Sequence, residues 1–143
     1  MKSKIKFLDV EDVVTIHDIA IKRLGGKNGI HSIGLLESAI NHPRMIEKFG
    51  TPDEHSIDNL ATAYFYNIIK NHPFIDGNKR TGLLSALAFL SQNGFHVKEE
   101  LFTEIYDDLY DLALATASSQ VTREEIVIFF KNVIEKPIRN KRA

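Results

Sequence analysis

Residues 78–94 read NKRTGLLSALAFLSQNG, a stretch with apolar side chains around most of a helical surface. The positions that give this pattern are Leu83, Leu84, Leu87, Ala88 and Leu90. A helix that is apolar on most sides is normally buried among other elements. Gly94 is typical of the residue just beyond a helix C-terminus. The sequence therefore predicts a central, buried helix from about Asn78 to Asn93.

Amphipathic stretches lie on both sides of this helix. The other predicted helices cover residues 9–24, 33–41, 56–71, 101–117 and 122–134. Asp9, Ser56 and Thr122 are residue types that cap a helix N-terminus, and Pro43 is expected to end the second helix. No strand-type alternation lasts long enough for a sheet, although residues 25–33 leave room for a small hairpin. The predicted fold is therefore an all-α helical bundle.

The composition is that of one globular domain. The chain has 143 residues, of which 43% are hydrophobic and 26% charged, and 18 basic against 19 acidic residues give a formal net charge of −1. This length fits a single compact domain over residues 1–143, with a basic tail over 136–143 that is expected to fray. A protein that coats nucleic acid usually has a clear basic excess, so nucleic acid is not expected as a partner.

Two absences narrow the chemistry further. The sequence has no cysteine, which excludes disulfides, cysteine–zinc sites and thiol catalysis. No stretch approaches the roughly 20 apolar residues of a membrane-spanning helix, and no apolar segment follows the basic residues at the start. No membrane association is expected, and the expected location is the cytoplasm.

Residues 72–82, HPFIDGNKRTG, form a polar loop and the start of the central helix. Lys79 and Arg80 fall in the first helical turn, where the helix dipole disfavours each cation by about 0.3–1 kcal/mol. This cost is explained if the helix start binds an anion, because free amide groups, the dipole and two cationic side chains then converge on it. Gly77 allows a ligand to approach the main chain closely. The loop is therefore a candidate phosphate site.

Asp76 and His72 add two further functions to this loop. A carboxylate beside phosphate groups commonly holds Mg²⁺, which also takes phosphate oxygens and water as ligands. An imidazole can accept a proton near neutral pH and act as a general base. Together with the anion site, these residues make a minimal constellation for phosphoryl or nucleotidyl transfer.

Each of these residues also has a plainer interpretation. His72, before a proline, is typical of a helix C-terminus, and Asp76 is common in turns. Lys79 and Arg80 can be a solvated surface pair. His17 lies on or beside an apolar helix face, where a histidine is more often a hydrogen-bonded core residue than a ligand. The sequence contains neither a P-loop nor a His-Glu-x-x-His zinc motif.

The loop resembles the core motif of the Fic/Doc family, which runs His-Pro-Phe-x-Asp/Glu-Gly-Asn and continues to an arginine. The matching residues are His72, Pro73, Phe74, Asp76, Gly77, Asn78 and Arg80. Flanking segments are similar to the death-on-curing (Doc) branch of that family. These segments are Ile16-His17, Gly25-Gly26, Gly29-Ile30, residues 34–40 and residues 89–94. The resemblance covers most of the chain.

This resemblance implies an all-α fold with the loop ahead of a central helix. It implies that His72 deprotonates a hydroxyl on a target protein and that Asp76 coordinates Mg²⁺. Gly77 and Asn78 would contribute to an anion pocket, in which Arg80 would grip nucleotide phosphate. Residues 25–33 would correspond to the family's flap, which positions the target segment. The family's inhibitory pattern, Ser/Thr-x-x-x-Glu, does not occur in this sequence, so restraint is expected in trans, from an antitoxin peptide.

Three positions depart from the family pattern. Lys79 stands where adenylylating members have glycine, but the Doc branch, which is associated with phosphorylation, shares this lysine. Leu83 occupies the position of a second arginine in adenylylating members, so that phosphate contact is missing. His31-Ser32 replaces an Arg-Asp pair common in the branch, which leaves target recognition by the flap open.

These patterns predict a Doc-like toxin that transfers a phosphoryl group from ATP to a Ser or Thr hydroxyl of a protein. AMP transfer is the enzymatic alternative, because Gly77-Asn78 keep the adenylylating form of the motif. An alternative of another class is a non-catalytic module that binds a phosphorylated or acidic partner, since Lys79 and Leu83 alter the catalytic pattern.

Overall fold

The structure is a computed structural model that describes residues 4–136. Within that range the chain forms six α-helices. They are α1 (Val10–Leu24), α2 (Ile33–Phe49), α3 (Ile57–Asn71), α4 (Asn78–Gln92), α5 (Ile105–Ala117) and α6 (Arg123–Val133). The predicted all-α fold is therefore confirmed. The predicted fraying of the tail concerns residues 136–143, of which 137–143 lie outside the described residues.

Short elements join the helices. Single 3-10 turns at Pro52–His55 and Glu99–Leu101 precede α3 and α5. Two short strands also form, and β1 (His96–Val97) pairs antiparallel with β2 (Ile134–Glu135). No helix within residues 4–136 is both long enough and apolar enough to cross a membrane.

Local capping explains where three helices begin. The Asp9 side chain accepts a hydrogen bond from the Asp12 N–H, and the Asp12 carboxylate accepts one from the Asp9 N–H, which together form a capping box. Thr122 and Glu125 form the same arrangement before α6, and Ser56 caps α3 through the Asn59 N–H. These starts are as predicted, because a cap depends only on residues within one helical turn.

The core is built around the contact between α3 and α4. Tyr64 and Phe65 of α3 and Leu83 and Phe89 of α4 are fully buried. The rings of Tyr64 and Phe89 lie 5.0 Å apart. At Gly82 a Cβ atom would lie 2.8 Å from Ile69 Cγ1 and 3.2 Å from the Phe65 carbonyl oxygen, so glycine allows this close helix packing. The prediction of α4 as a central, buried helix is confirmed, and the packing fixes both ends of the loop that joins α3 to α4.

The predicted end of α2 before Pro43 is wrong, because the helix continues to Phe49. A proline inside a helix removes one main-chain hydrogen bond and costs about 3 kcal/mol. Here Pro43 is itself buried, together with Leu36, Ala39 and Ile40, and α2 packs mainly on α3. Burial of this apolar face offsets the loss of the hydrogen bond.

Candidate active site

The loop between α3 and α4, residues 72–77, begins with a left-handed residue. His72 has φ 52° and ψ 54°, and its N–H donates to the Ile68 carbonyl at 3.2 Å, which closes the end of α3. This backbone conformation costs a residue with a side chain about 1–2 kcal/mol. Pro73 and Phe74 follow as buried residues, whereas His72 is exposed. The turn thus leaves the imidazole accessible while the next two residues anchor the loop.

The side chain of Asn78 holds the loop in shape. Its Oδ1 accepts a hydrogen bond from the Phe74 N–H at 2.9 Å, and its Nδ2 donates to the Phe74 carbonyl at 2.9 Å. Asn78 is 3% exposed. Because both ends of the amide are engaged by Phe74, the group that Asn78 can offer to an anion is its main-chain N–H.

The N-terminus of α4 has no side-chain cap. Gly77 occupies the N-cap position with φ 82°, and the first hydrogen bond of the helix runs from the Thr81 N–H to the Gly77 carbonyl. The preceding N–H groups of the first turn therefore have no partner within the helix. A left-handed φ at this position favours glycine. Such a helix start can accept an anion at its N–H groups, and the phosphate site stays a prediction.

Asp76 is exposed, but main-chain amides fix its carboxylate. Oδ1 accepts a hydrogen bond from the Gly77 N–H at 2.9 Å, and Oδ2 accepts one from the Lys27 N–H at 3.0 Å. These bonds, first that from Lys27 and then that from Gly77, lower the pKa of Asp76 below its ordinary value, and the charge of Arg80 acts in the same direction. Asp76 is therefore an ionised carboxylate at neutral pH.

The remaining capacity of Asp76 suits a hard cation. A carboxylate offers about four lone-pair directions, and two of these accept the amide N–H groups. Within residues 4–136 no three His, Asp or Glu side chains are grouped as a metal site. A Mg²⁺ ion bound at Asp76 would therefore take its other ligands from phosphate oxygens and water, which is common for this ion.

The segment of residues 25–33, called the flap below, is attached to this loop. The Ile75 N–H donates to the Gly29 carbonyl at 3.0 Å, and the His31 and Ser32 N–H groups donate to the Pro73 carbonyl at 2.7 and 3.0 Å. Ile30 forms an isolated antiparallel bridge with Phe74. The flap forms no hairpin of its own, which differs from the possibility left by the sequence. Its main-chain groups pair with the loop instead, because the loop supplies nearby partners.

A cleft of about 360 Å³ lies between the flap and the start of α4. Its lining consists of Asp76, Gly77, Asn78, Lys79 and Arg80 together with Leu24, Gly25, Gly26 and Tyr110. Five of the predicted site residues therefore share one wall. His72 is not in this lining and lies at the opposite end of the loop, next to α3.

The two cations of the wall are available to an anion. Lys79 and Arg80 are half-buried, and neither forms an ion pair with a carboxylate in the part of the chain that the structure describes. Arg80 Nη1 makes one long contact of 3.5 Å with the Gly25 carbonyl. The wall thus combines two cations with the open N-terminus of α4.

Two residues near the loop were not predicted as part of the site. Tyr110 of α5 lines the cleft, but nothing in its local sequence indicates this, since α5 meets the loop only through the tertiary fold. His17 of α1 was predicted as a buried core residue and is 1% exposed. Its Nε2 lies 2.7 Å from the Asp76 carbonyl oxygen, and its ring stacks on Phe74. The stretch Ile16-His17 was a sequence signal for this residue, but its partner was not predictable.

The chain is similar in sequence to a protein family and to two named proteins. The chain matches the model of the Fic/DOC family over residues 7–90, a range that contains the flap and the loop. It is 32% identical over 104 residues to Toxin Doc of Mycolicibacterium smegmatis (strain ATCC 700084 / mc(2)155), covering 73% of this chain and 77% of that protein. It is 28% identical over 117 residues to Protein kinase doc of Escherichia phage P1, covering 82% of this chain and 86% of that protein.

Proposed function

Because this chain belongs to the Fic/DOC family, we propose that it is a Doc-like toxin that transfers the γ-phosphoryl group of ATP to a Ser or Thr hydroxyl of a target protein. The names Toxin Doc and Protein kinase doc of two relatives support this proposal. The observation that carries it is the cleft, in which an uncapped helix start, two cations and an ionised carboxylate lie together. This combination suits a polyphosphate better than a neutral ligand.

The wall of the cleft holds the nucleotide in this proposal. Lys79 and Arg80 pair with phosphate oxygens, and the free N–H groups at the start of α4 donate to them. Gly77 leaves room for the phosphate, since it has no side chain. Asp76 holds Mg²⁺, which would offset the charge of the phosphate oxygens when bound.

His72 acts as the general base. The target hydroxyl gives its proton to the His72 imidazole while its oxygen attacks the γ-phosphorus atom. The bond between that phosphorus and the β–γ bridging oxygen breaks, and ADP leaves with the electron pair. The exposure of His72 fits this role, because the acceptor is a side chain of another protein.

The same proposal includes a partner and a location. An antitoxin peptide restrains the enzyme in trans, since the inhibitory pattern of the family is absent from this sequence. The toxin acts in the cytoplasm, where ATP and its protein targets are present.

Labelled nucleotides test the reaction. Purified protein is incubated with Mg²⁺, cell extract and ATP labelled at either the γ or the α phosphate. We expect a labelled protein band from the γ label only, lost in His72→Ala, while His96→Ala, an exposed histidine on β1, serves as the matched control. Absence of transfer from both labels would contradict the proposal.

Expression should also slow growth, and His72→Ala should relieve this toxicity.

AMP transfer is the second candidate, favoured by Gly77-Asn78. Transfer of the α label would select it. Leu83, at the position of the second arginine, is fully buried in the core, so that position offers no phosphate contact, and this supports phosphoryl transfer instead.

A binding module without catalysis is the candidate from another class. It is motivated by Lys79 and by the missing arginine at Leu83. Calorimetry with ATP separates it from an enzyme, because only a transferase site should lose Mg²⁺-dependent binding in Asp76→Ala. Equal toxicity of wild type and His72→Ala would favour the binding module.

A further inference from the structure

His17 is a buried titratable residue that the proposed chemistry does not use. It lies on α1 and is 1% exposed. Its ring stacks on Phe74 with a centroid distance of 3.9 Å and an interplanar angle of 6°. Its Nε2 lies 2.7 Å from the carbonyl oxygen of Asp76. His17 thus contacts both the buried Phe74 of the loop and the main chain of Asp76.

The chemistry of this contact fixes which nitrogen carries the proton. A carbonyl oxygen only accepts hydrogen bonds, so His17 Nε2 must be protonated to form this bond. The other ring nitrogen, Nδ1, lies 3.9 Å from Asp18 Oδ1, which is too long for a hydrogen bond. His17 is therefore a main-chain clamp with a defined donor.

This clamp sets the orientation of the peptide between Asp76 and Gly77. In a planar trans peptide the C=O and N–H groups point in opposite directions. With the carbonyl directed to His17, the Gly77 N–H points away from it and donates to Asp76 Oδ1 at 2.9 Å. The side chains of His17 and Ile21 also pack on Gly77, where an added Cβ would lie 3.6 Å and 3.1 Å from them.

We propose that His17 is a positioning residue whose Nε2–H holds the Asp76–Gly77 peptide in the orientation that fixes the Asp76 carboxylate and leaves the N-terminus of α4 open. This inference rests on the proposed function for its catalytic consequence. His17 is absent from the lining of the cleft that is proposed to hold the nucleotide. Its effect on activity is transmitted through Asp76 and Gly77.

Two substitutions distinguish the contribution of the His17 Nε2–H donor from that of the aromatic ring. His17→Phe keeps an aromatic ring against Phe74 but removes the donor, whereas His17→Gln removes the ring but keeps a side-chain N–H. We expect His17→Phe to weaken binding of ATP with Mg²⁺ by about tenfold or more, as is typical when a supporting partner of a ligand-binding residue is lost. His17→Gln should recover most of this loss. The Km for ATP should rise more than kcat falls, because the base, His72, is unaffected.

Two nuclear magnetic resonance measurements test the clamp without nucleotide. Long-range correlation of the imidazole nitrogens should show His17 protonated at Nε2 in the wild-type protein. Hydrogen exchange of the Gly77 amide should accelerate at least about tenfold in His17→Phe, but not in His17→Gln, because the released peptide can rotate. If wild type binds no ATP, the proposed function fails, while these two measurements still decide the role of His17.

The inference is overturned by any of three results. The first is a His17 imidazole that is protonated only at Nδ1 in the wild-type protein. The second is a Gly77 exchange rate in His17→Phe that equals the wild-type rate. The third is an equal loss of ATP binding in His17→Phe and His17→Gln. The last result would mean that the residue acts only through packing. If His17→Phe does not fold, the wild-type tautomer and the His17→Gln protein test the inference. Gly77 exchange and ATP binding close to those of wild type in His17→Gln support the inference, and loss of both overturns it.

Discussion

The main-chain N–H of Lys27 donates a 3.0 Å hydrogen bond to Asp76 Oδ2. This bond ties the flap to the residue that is proposed to hold Mg²⁺. Gly26, next to Lys27, lies so close that an added Cβ would be 2.9 Å from the same Oδ2 atom. The position of the flap at Gly26 and Lys27 therefore affects the position of the Asp76 carboxylate in the cleft.

Substitution of Gly26 tests this close approach. Gly26 has φ 123°, and Gly26→Ala places a methyl group against Asp76 Oδ2 and Ile21 Cδ1, each at 2.9 Å. We expect a loss of about 1–3 kcal/mol in the free energy of unfolding and weaker ATP binding, measured by urea denaturation and calorimetry.

Gly25→Ala is the matched control for this effect. Gly25 also has a left-handed φ of 90°, but an added Cβ there meets nothing within 4 Å. It should therefore show the backbone strain without displacement of Asp76. Equal loss of ATP binding in the two variants would contradict the link between the flap and the carboxylate.

Lys79 gives a prediction in which stability and binding change in opposite directions. The positive end of the α4 dipole opposes this cation, so Lys79→Gln should raise the free energy of unfolding by about 0.3–1 kcal/mol. The same change removes a phosphate partner and should weaken ATP binding by about tenfold. Lys131, in the last turn of α6, is the control, because Lys131→Gln should lower stability slightly and leave binding unchanged. A Lys79→Gln protein that is less stable but binds ATP normally would contradict this account.

Ionisation of Tyr64 is expected to lower the stability of the protein at alkaline pH. Its hydroxyl oxygen accepts a hydrogen bond from the Leu8 N–H at 2.9 Å, and burial raises the pKa of Tyr64 to about 12. The unfolded chain loses this proton near pH 10 and the folded chain near pH 12, so stability is lost as the pH rises through this interval. The loss amounts to about 2–3 kcal/mol, since each unit corresponds to about 1.4 kcal/mol.

Urea denaturation between pH 8 and pH 12 measures this effect. Tyr64→Phe should be less stable at pH 8, because the Leu8 N–H loses its partner, but it should lose less stability as the pH rises. Tyr106→Phe, which alters an exposed tyrosine of α5, should follow the wild-type pH dependence. Identical alkaline slopes for Tyr64→Phe and wild type would show that Tyr64 does not control this response.

Gly82 tests the helix contact that supports the loop. A Cβ at this position would lie 2.8 Å from Ile69 Cγ1 and 3.2 Å from a main-chain oxygen. Gly82→Ala should therefore destabilise the protein by about 1–3 kcal/mol through overpacking. Gly34→Ala in α2, where the nearest atom is 3.9 Å away, should stabilise the protein by up to about 1 kcal/mol. Urea denaturation measures both, and a stable Gly82→Ala protein would mean that α3 and α4 can separate without loss.

Helix starts and the chemical content of the loop were predictable because they depend on neighbouring residues. Asp9, Ser56 and Thr122 cap their helices through partners three residues away, and the cations at the start of α4 are visible as a conflict with the dipole. The course of α2 through Pro43 was not predictable, since the burial that offsets the proline depends on α3. The antiparallel pairing of β1 with β2 joins His96 to Glu135, and two such short segments carry no periodic signal.

The sequence by itself determined the helical class, the family motif and the residue types that meet a phosphate, because these follow from local pattern and composition. Only the tertiary structure decided that the flap pairs with the loop and that Tyr110 lines the cleft. It also decided that the Asn78 side chain hydrogen-bonds within the loop. The contact of His17 with the Asp76 carbonyl, 59 positions away, likewise depends on the fold. Such contacts join segments distant in the chain. They depend on how the helices pack, and side-chain spacing along one segment contains no information about its distant partner.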